Sequence, residues 1–174
     1  MIRFPFFFLV LVLFACRAEK TKDKTAKKWG TAYSVDFNQE LNAREEIKIN
    51  LFLAHHRELK MHATESQSGL RFMRYSQGVG PDLAKVGQEA IIRVKIELLD
   101  GRVCYETAKD EIERVVIAKS EKESGIHEAL QLMRKGDKAK LILPSYLGHG
   151  LLGDRMKIPP QSVLYIDLQL IDLK

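Results

Sequence analysis

Residues 92–98 alternate without a break. Ile92, Val94, Ile96 and Leu98 are apolar, while Arg93, Lys95 and Glu97 are charged. A period of two puts these sets on opposite faces of an extended chain, one facing a core and one facing water. The pattern returns near the C-terminus, where Leu164, Ile166, Leu168 and Leu170 alternate with Tyr165, Asp167 and Gln169. It appears again between them, with Ala139, Leu141 and Leu143 against Lys138 and Lys140. Strands of this kind belong to an antiparallel sheet with one covered face. The cover comes from one short segment. Ile126, Ala129, Leu130 and Met133 fall at i, i+3, i+4 and i+7, a single helical stripe. Few architectures satisfy both patterns. The chain reads as α+β, a curved antiparallel β-sheet wrapped around one short α-helix.

Smaller signals fill in the order. Asp100-Gly101 is a turn dipeptide, after which a strand resumes over residues 102–106. Val115-Val116-Ile117 forms an apolar run within 113–118. Ser120 and Glu123 have capping-box spacing, and Ser124 is a second cap candidate for the short helix. Arg134 and Lys135 suit the negative end of its dipole, and Gly136 suits the stop position. Upstream, residues 34–59 read as an N-terminal helical extension. Asp36 and Gln39 give its capping box, and Ile47, Leu51 and Ala54 give a stripe widened by Leu41, Phe52 and Leu53. This helix packs on the domain or on a second copy, which leaves a homodimer through the N-terminal helix open. Residues 61–69 are a polar transition, and no internal repeat is present.

The first residues address the chain. Arg3 precedes an uncharged apolar run, residues 5–14. The run is shorter than the roughly 20 residues a spanning helix needs, and it fits the h-region of a secretory signal. It ends in Leu13-Phe14-Ala15-Cys16, which resembles the lipobox of bacterial lipoproteins. That resemblance implies cleavage after Ala15 and lipid on Cys16, which would hold the protein at the membrane of a bacterial cell envelope. The expected location is the outer membrane, facing the periplasm. An ordinary secretory signal containing a cysteine is the alternative. The resulting division is a signal peptide over 1–15, a lipidated cysteine and polar tether over 16–33, a helical extension over 34–67 and a domain over 68–174.

Charge and cysteine content exclude several classes. The chain carries a formal +5. Arg3 and the Lys-rich tract at 17–28 account for all of that surplus, so the globular part is neutral. No basic stripe with interleaved aromatics is present, and no nucleic-acid partner is implied. The two cysteines are Cys16 and Cys104. With Cys16 lipidated, Cys104 has no intramolecular partner and reads as a buried small hydrophobe. His127-Glu128 starts like a zincin motif, but Gln131 stands where the second ligand belongs, so the pair reads as the polar face of the short helix. His55 and His56 are adjacent and read as surface. Gly78-Val79-Gly80 reads as a turn. No cofactor or metal is expected.

The segment from Gly136 to Gly150, followed by Lys157-Ile158-Pro159-Pro160 and the last strand, resembles the C-terminal half of an FKBP-type peptidyl-prolyl isomerase. Ser68-Gly69-Leu70-Arg71-Phe72 and Gly78-Val79-Gly80-Pro81 resemble the opening of the same domain. Ser124 to Leu130, with Leu151-Leu152-Gly153-Asp154, is also similar to FKBP-type lipoproteins associated with gliding motility. The resemblance implies rotation catalysis on proline-containing unfolded or exported polypeptides in an apolar groove. It assigns no nucleophile or proton donor.

The groove positions it implies are Val94, Cys104, Tyr105, Val116, Ile126, His149, Ile158 and Ile166. Several depart from the family pattern. Val94 stands for a Tyr, Cys104 and Tyr105 for a Phe and an Asp, Ile126 for a Trp, His149 for a Tyr and Ile166 for a Phe. Gly101, Gly136, Pro144, Gly150, Ile158, Pro159, Pro160 and Asp167 keep the shape. Adjacent strand residues face opposite sides, so Cys104 and Tyr105 both turn inward only across a bulge. The expected groove is apolar with fewer aromatics. The alternative function is a non-catalytic polypeptide-binding chaperone, or an accessory lipoprotein of a motility or secretion complex.

Overall fold

The structure is a computed structural model that describes residues 31–174. The signal peptide, Cys16 and the tether lie outside the described residues. In chain order the elements are α1 (Thr31–His55), β1 (His62–Ala63), β2 (Arg71–Ser76), β3 (Glu89–Leu98), β4 (Val103–Glu106), β5 (Glu113–Val116), α2 (Ser124–Gln131), β6 (Lys138–Leu143), a 3-10 turn (Ser145–Leu147) and β7 (Leu164–Leu173). The strands make one antiparallel sheet in the order β1-β2-β6-β7-β3-β4, with β5 also paired to β3.

β3 organises this sheet. Ala90, Ile92, Val94, Ile96 and Leu98 are buried, as the alternation requires. β7 pairs along one edge of β3, from Ala90↔Leu173 to Leu98↔Leu164. Two short strands divide the other edge. β5 pairs residues 89–92 and β4 pairs residues 95–97. Thr107 bridges the gap between them. Its N–H donates to Val94 O at 2.9 Å, and its Oγ1 accepts the Val94 N–H at 3.1 Å.

α2 lies on the inner face. Ile126, Ala129 and Leu130, with Met133 just beyond its end, are 0% exposed and join Ile92, Ile96, Leu141, Leu143, Ile166 and Leu168 in the main core. Each large apolar side chain so buried contributes about 1.5–3 kcal/mol. α1 covers part of the other face. Ile49 packs with Met61, Ile142 and Val163, flanked by Phe52, Leu53 and Tyr165. Glu45 Oε2 accepts the Ser145 N–H at 2.8 Å, tying α1 to the loop after β6.

Local details correct several expectations. α1 runs from Thr31 to His55, not over 34–59, so Asp36 and Gln39 are interior and form no capping box. It ends where His55 Nδ1 donates to Leu51 O at 2.7 Å, occupying a carbonyl of the last turn. The stripe Ile47, Leu51 and Ala54 points outward, and Ile47 is 60% exposed. The inward stripe is Glu45, Ile49 and Phe52, spaced the same way but hidden by its buried carboxylate.

The caps differ too. α2 has Glu123 at its N-cap with no side-chain cap bond. Ser120 Oγ donates to Val116 O at 3.1 Å and Ser124 Oγ to Leu147 O at 3.2 Å, so both hydroxyls fasten loops. Gly136 is not the stop of α2, which ends at Gln131. It sits at φ +90°, where a Cβ would come within 3.0 Å of Gly78 Cα, so two backbones touch here. Asp137, 0% exposed, holds that crossing by accepting from Gly78 N–H at 2.6 Å, Arg134 N–H at 2.8 Å and Arg74 Nε at 2.8 Å.

His127 is not on a polar face. It is buried, with Nδ1 accepting the Ala118 N–H at 3.0 Å and Nε2 donating to Ser120 O at 3.0 Å. Both ring nitrogens are thus engaged, and they pin a loop in which Ala118 has φ 59°.

Candidate functional site

A cavity of about 680 Å³ opens at the gap between β4 and β5. Its floor is Val94 and Ile96 of β3. Tyr105 stands on one side, the loop before α2 on another, and the loop from Gly148 to Asp154 closes the third. A bulge shapes the Tyr105 side. Ile96 pairs with Tyr105 and Glu97 with Val103, leaving Cys104 as the extra residue. Cys104 turns into the core, 2% exposed, while Tyr105 packs at the cavity.

Tyr105 holds an acid. Its hydroxyl donates to Asp154 Oδ2, while Asp154 Oδ1 accepts the Met156 and Ile158 N–H groups, each at 2.8 Å. Burial pushes the Asp154 carboxyl up, but these three donors outweigh it and bring it down to about 2. The same hydrogen bond, with burial, raises the Tyr105 hydroxyl above its ordinary value. Gly153 makes the turn into Asp154 at φ +64°. A Cβ there would meet Ile158 O at 2.2 Å, so only glycine fits. Lys157 Nζ lies 4.9 Å from the centre of the Tyr105 ring.

The opposite wall is charged. Glu113 of β5 accepts from Thr107 Oγ1 at 2.7 Å and from Lys122 Nζ at 2.7 Å. Burial raises the Glu113 carboxyl, but the two donors hold it below its usual value. His149 Nε2 meets Glu123 Oε1 at 3.0 Å. The groove keeps the apolar floor expected of it and adds charged groups that were not expected. Its floor is apolar and its walls are hydrogen-bonded charge.

Of the positions named from the sequence, the cavity brings together Val94, Tyr105 and His149. Cys104, Ile126, Ile158 and Ile166 belong to the core cluster, and none of them is in the lining. Val116 is half-buried on β5 and also outside it. Ile96, Glu113, Lys122, Glu123 and Asp154 line the cavity without having been named. Two of these were readable. Ile96 shares a strand face with Val94, and Glu113 lies two before Val115, so period two sends both inward. In the sequence Asp154 stands out only as part of the Leu151-Leu152-Gly153-Asp154 resemblance, and its reach to Tyr105 across 49 positions shows only in the folded loop.

Residues 80–171 match the family described as FKBP-type peptidyl-prolyl cis-trans isomerase. The chain belongs to this family. The matched range takes in every cavity residue named above. A macrophage infectivity potentiator of Trypanosoma cruzi is 33% identical over 112 residues, covering 64% of this chain and 57% of that protein. The FKBP-type isomerase FkpA of Buchnera aphidicola is 27% identical over 129 residues, covering 74% of this chain and 50% of that protein. The chain thus spans about half the length of these relatives. Among solved structures, FkpA from Escherichia coli superposes with a TM-score of 0.64 at 23% identity, covering 81% of this chain and 64% of that one. A peptidyl-prolyl isomerase from Pseudomonas syringae gives 0.60 at 22% identity, covering 72% and 90%. These likenesses establish the FKBP fold for this chain.

Proposed function

We propose that this FKBP-family chain is a peptidyl-prolyl cis-trans isomerase that assists the folding of exported polypeptides at a bacterial cell envelope, held there by lipid on Cys16. The observation that carries the activity is the cavity on Val94 and Ile96, walled by the Tyr105–Asp154 pair and lying wholly within the family's matched range. Rotation about the X–Pro bond meets a barrier of about 18–20 kcal/mol because the planar amide is resonance-stabilised. Twisting it reduces charge separation. An apolar floor that excludes water favours the twisted state over the planar one, so catalysis needs no nucleophile. Tyr105 and His149 bound the space laterally, and their fixed partners keep the walls in place before a segment enters.

A coupled isomerisation assay on proline peptides tests this. Saturable acceleration is expected, and a folded chain with no acceleration on any proline peptide rejects the activity. The charged wall favours a second reading, a groove that binds proline-containing segments without accelerating rotation, as a chaperone or as the accessory lipoprotein of a motility or secretion complex. Retained binding with no acceleration would establish it.

A further inference from the structure

Four carboxylates line the cavity, those of Glu113, Glu121, Glu123 and Asp154, against the single ammonium of Lys122. They are not equivalent. Asp154 has donors on both oxygens. Glu113 also has both occupied, by Thr107 and Lys122. Glu121 stands in water. Glu123 differs from all three. Its side chain is 8% exposed, and Oε1 is engaged by His149 at 3.0 Å. Oε2 is buried and has no hydrogen-bond partner among the described residues. Lys122 Nζ comes no closer to it than 4.0 Å, being drawn to Glu113 at 2.7 Å.

A buried polar atom without a donor is destabilising, and more so when charged. Glu123 tolerates this at the N-cap of α2, where the helix dipole favours negative charge. Its position in the wall explains what the open acceptor is for. We infer that Glu123 is the specificity-determining residue of this groove and takes the ammonium or guanidinium of a lysine or arginine adjacent to the proline of the bound segment. The inference rests on the cavity being the proline-binding groove.

The chemistry is one of matching donors. A lysine or arginine side chain brings charged N–H groups, and a partial turn of the glutamate about its soft last torsion, which gives up the His149 contact, brings the carboxylate to them. The neighbouring carboxylates add a field of the same sign. A neutral peptide leaves Oε2 without a donor, and an acidic one is repelled. A hydrogen bond to a charged group contributes about 1.5–3 kcal/mol, which corresponds to a preference of about tenfold or more.

The test uses the full chain and two series of short proline peptides. The residue before or after proline is lysine, arginine, norleucine or glutamate. Isomerisation kcat/KM and affinity by fluorescence anisotropy are both measured. In at least one series lysine and arginine should exceed norleucine about tenfold, with glutamate poorest, and the excess should shrink at high salt. In Glu123→Gln the lysine-to-norleucine ratio should fall close to one, while Glu121→Gln should keep most of it. Where the glutamine variant does not fold, Glu123→Ala replaces it and the same ratio is read. Equal handling of lysine and norleucine peptides overturns the inference and leaves the isomerase reading intact. So does a ratio unchanged in the folded Glu123 variant. A lysine preference in affinity without any turnover upholds the inference and rejects the isomerase. If no peptide is bound or turned over, both readings fall.

Discussion

Tyr105 and Asp154 show how one pair of side chains sets the groove. The resemblance expects a tyrosine at 94 and an aspartate at 105, yet the tyrosine stands at 105 and the acid comes from the far loop. The Asp154 carboxyl is depressed from 3.8 to about 2. Its contribution to folding is therefore complete above 3.8 and lost as pH falls through about 2. Tyr105→Phe removes one of its donors, so the Asp154 midpoint should move up towards 3.8 in an NMR titration. An unchanged midpoint would show the hydroxyl contact to be idle. Position 126 makes a second case. Ile126 is 0% exposed inside the core, so Ile126→Trp should overpack it and lower stability by about 1–3 kcal/mol in denaturant unfolding. Val94→Tyr adds its ring at the cavity floor instead, where isomerase assays should show a gain if aromatic area limits the rate.

α1 shows what a helical stripe does and does not say. Its periodicity was legible, and its burial was not. Ile47, Leu51 and Ala54 repeat as regularly as Glu45, Ile49 and Phe52, but a carboxylate at the head of the second stripe disguises it. Only the Ser145 N–H, a hundred positions away, explains why Glu45 is inside. Ile49→Ala should therefore cost about 2–5 kcal/mol in urea unfolding, while Ile47→Ala on dilute protein should stay within about 0.5 kcal/mol. A concentration-dependent loss for Ile47→Ala would instead identify its outward face as a contact with a second copy. The strands were easier to read. Period two named β3, β6 and β7 because burial alone decides which residues alternate, whereas caps and loop anchors depend on partners distant in sequence.

At the scale of the whole molecule, the legible part of the fold was the sheet wrapped on α2, because strands and stripe constrain each other. The site was legible only in part. Its floor follows from alternation, but its charged walls are assembled from β5, the loop before α2 and the loop at 148–154. The proposed membrane attachment is a separate matter, read only from the opening sequence, from Arg3 through the apolar run to Cys16. Cys16→Ser should shift the protein from the membrane fraction to a soluble or uncleaved form, as read by fractionation and acyl labelling. Unchanged partition with no label on the parent would remove the anchor from the proposal.

The division of one sheet edge between β4 and β5 has a bearing on the company this protein keeps. At the opposite border β1 is two residues long and leaves only residues 73–76 of β2 open beside it, and β4 and β5 are four each. An unfolded chain offers bare N–H and C=O groups to any long flat edge it meets, and the usual result is fibrous co-assembly. Borders this short give such a visitor too few rungs to join. If the proposed function holds and half-folded chains enter the groove, these short borders among the described residues would favour their release, since they give a visiting strand little to pair with.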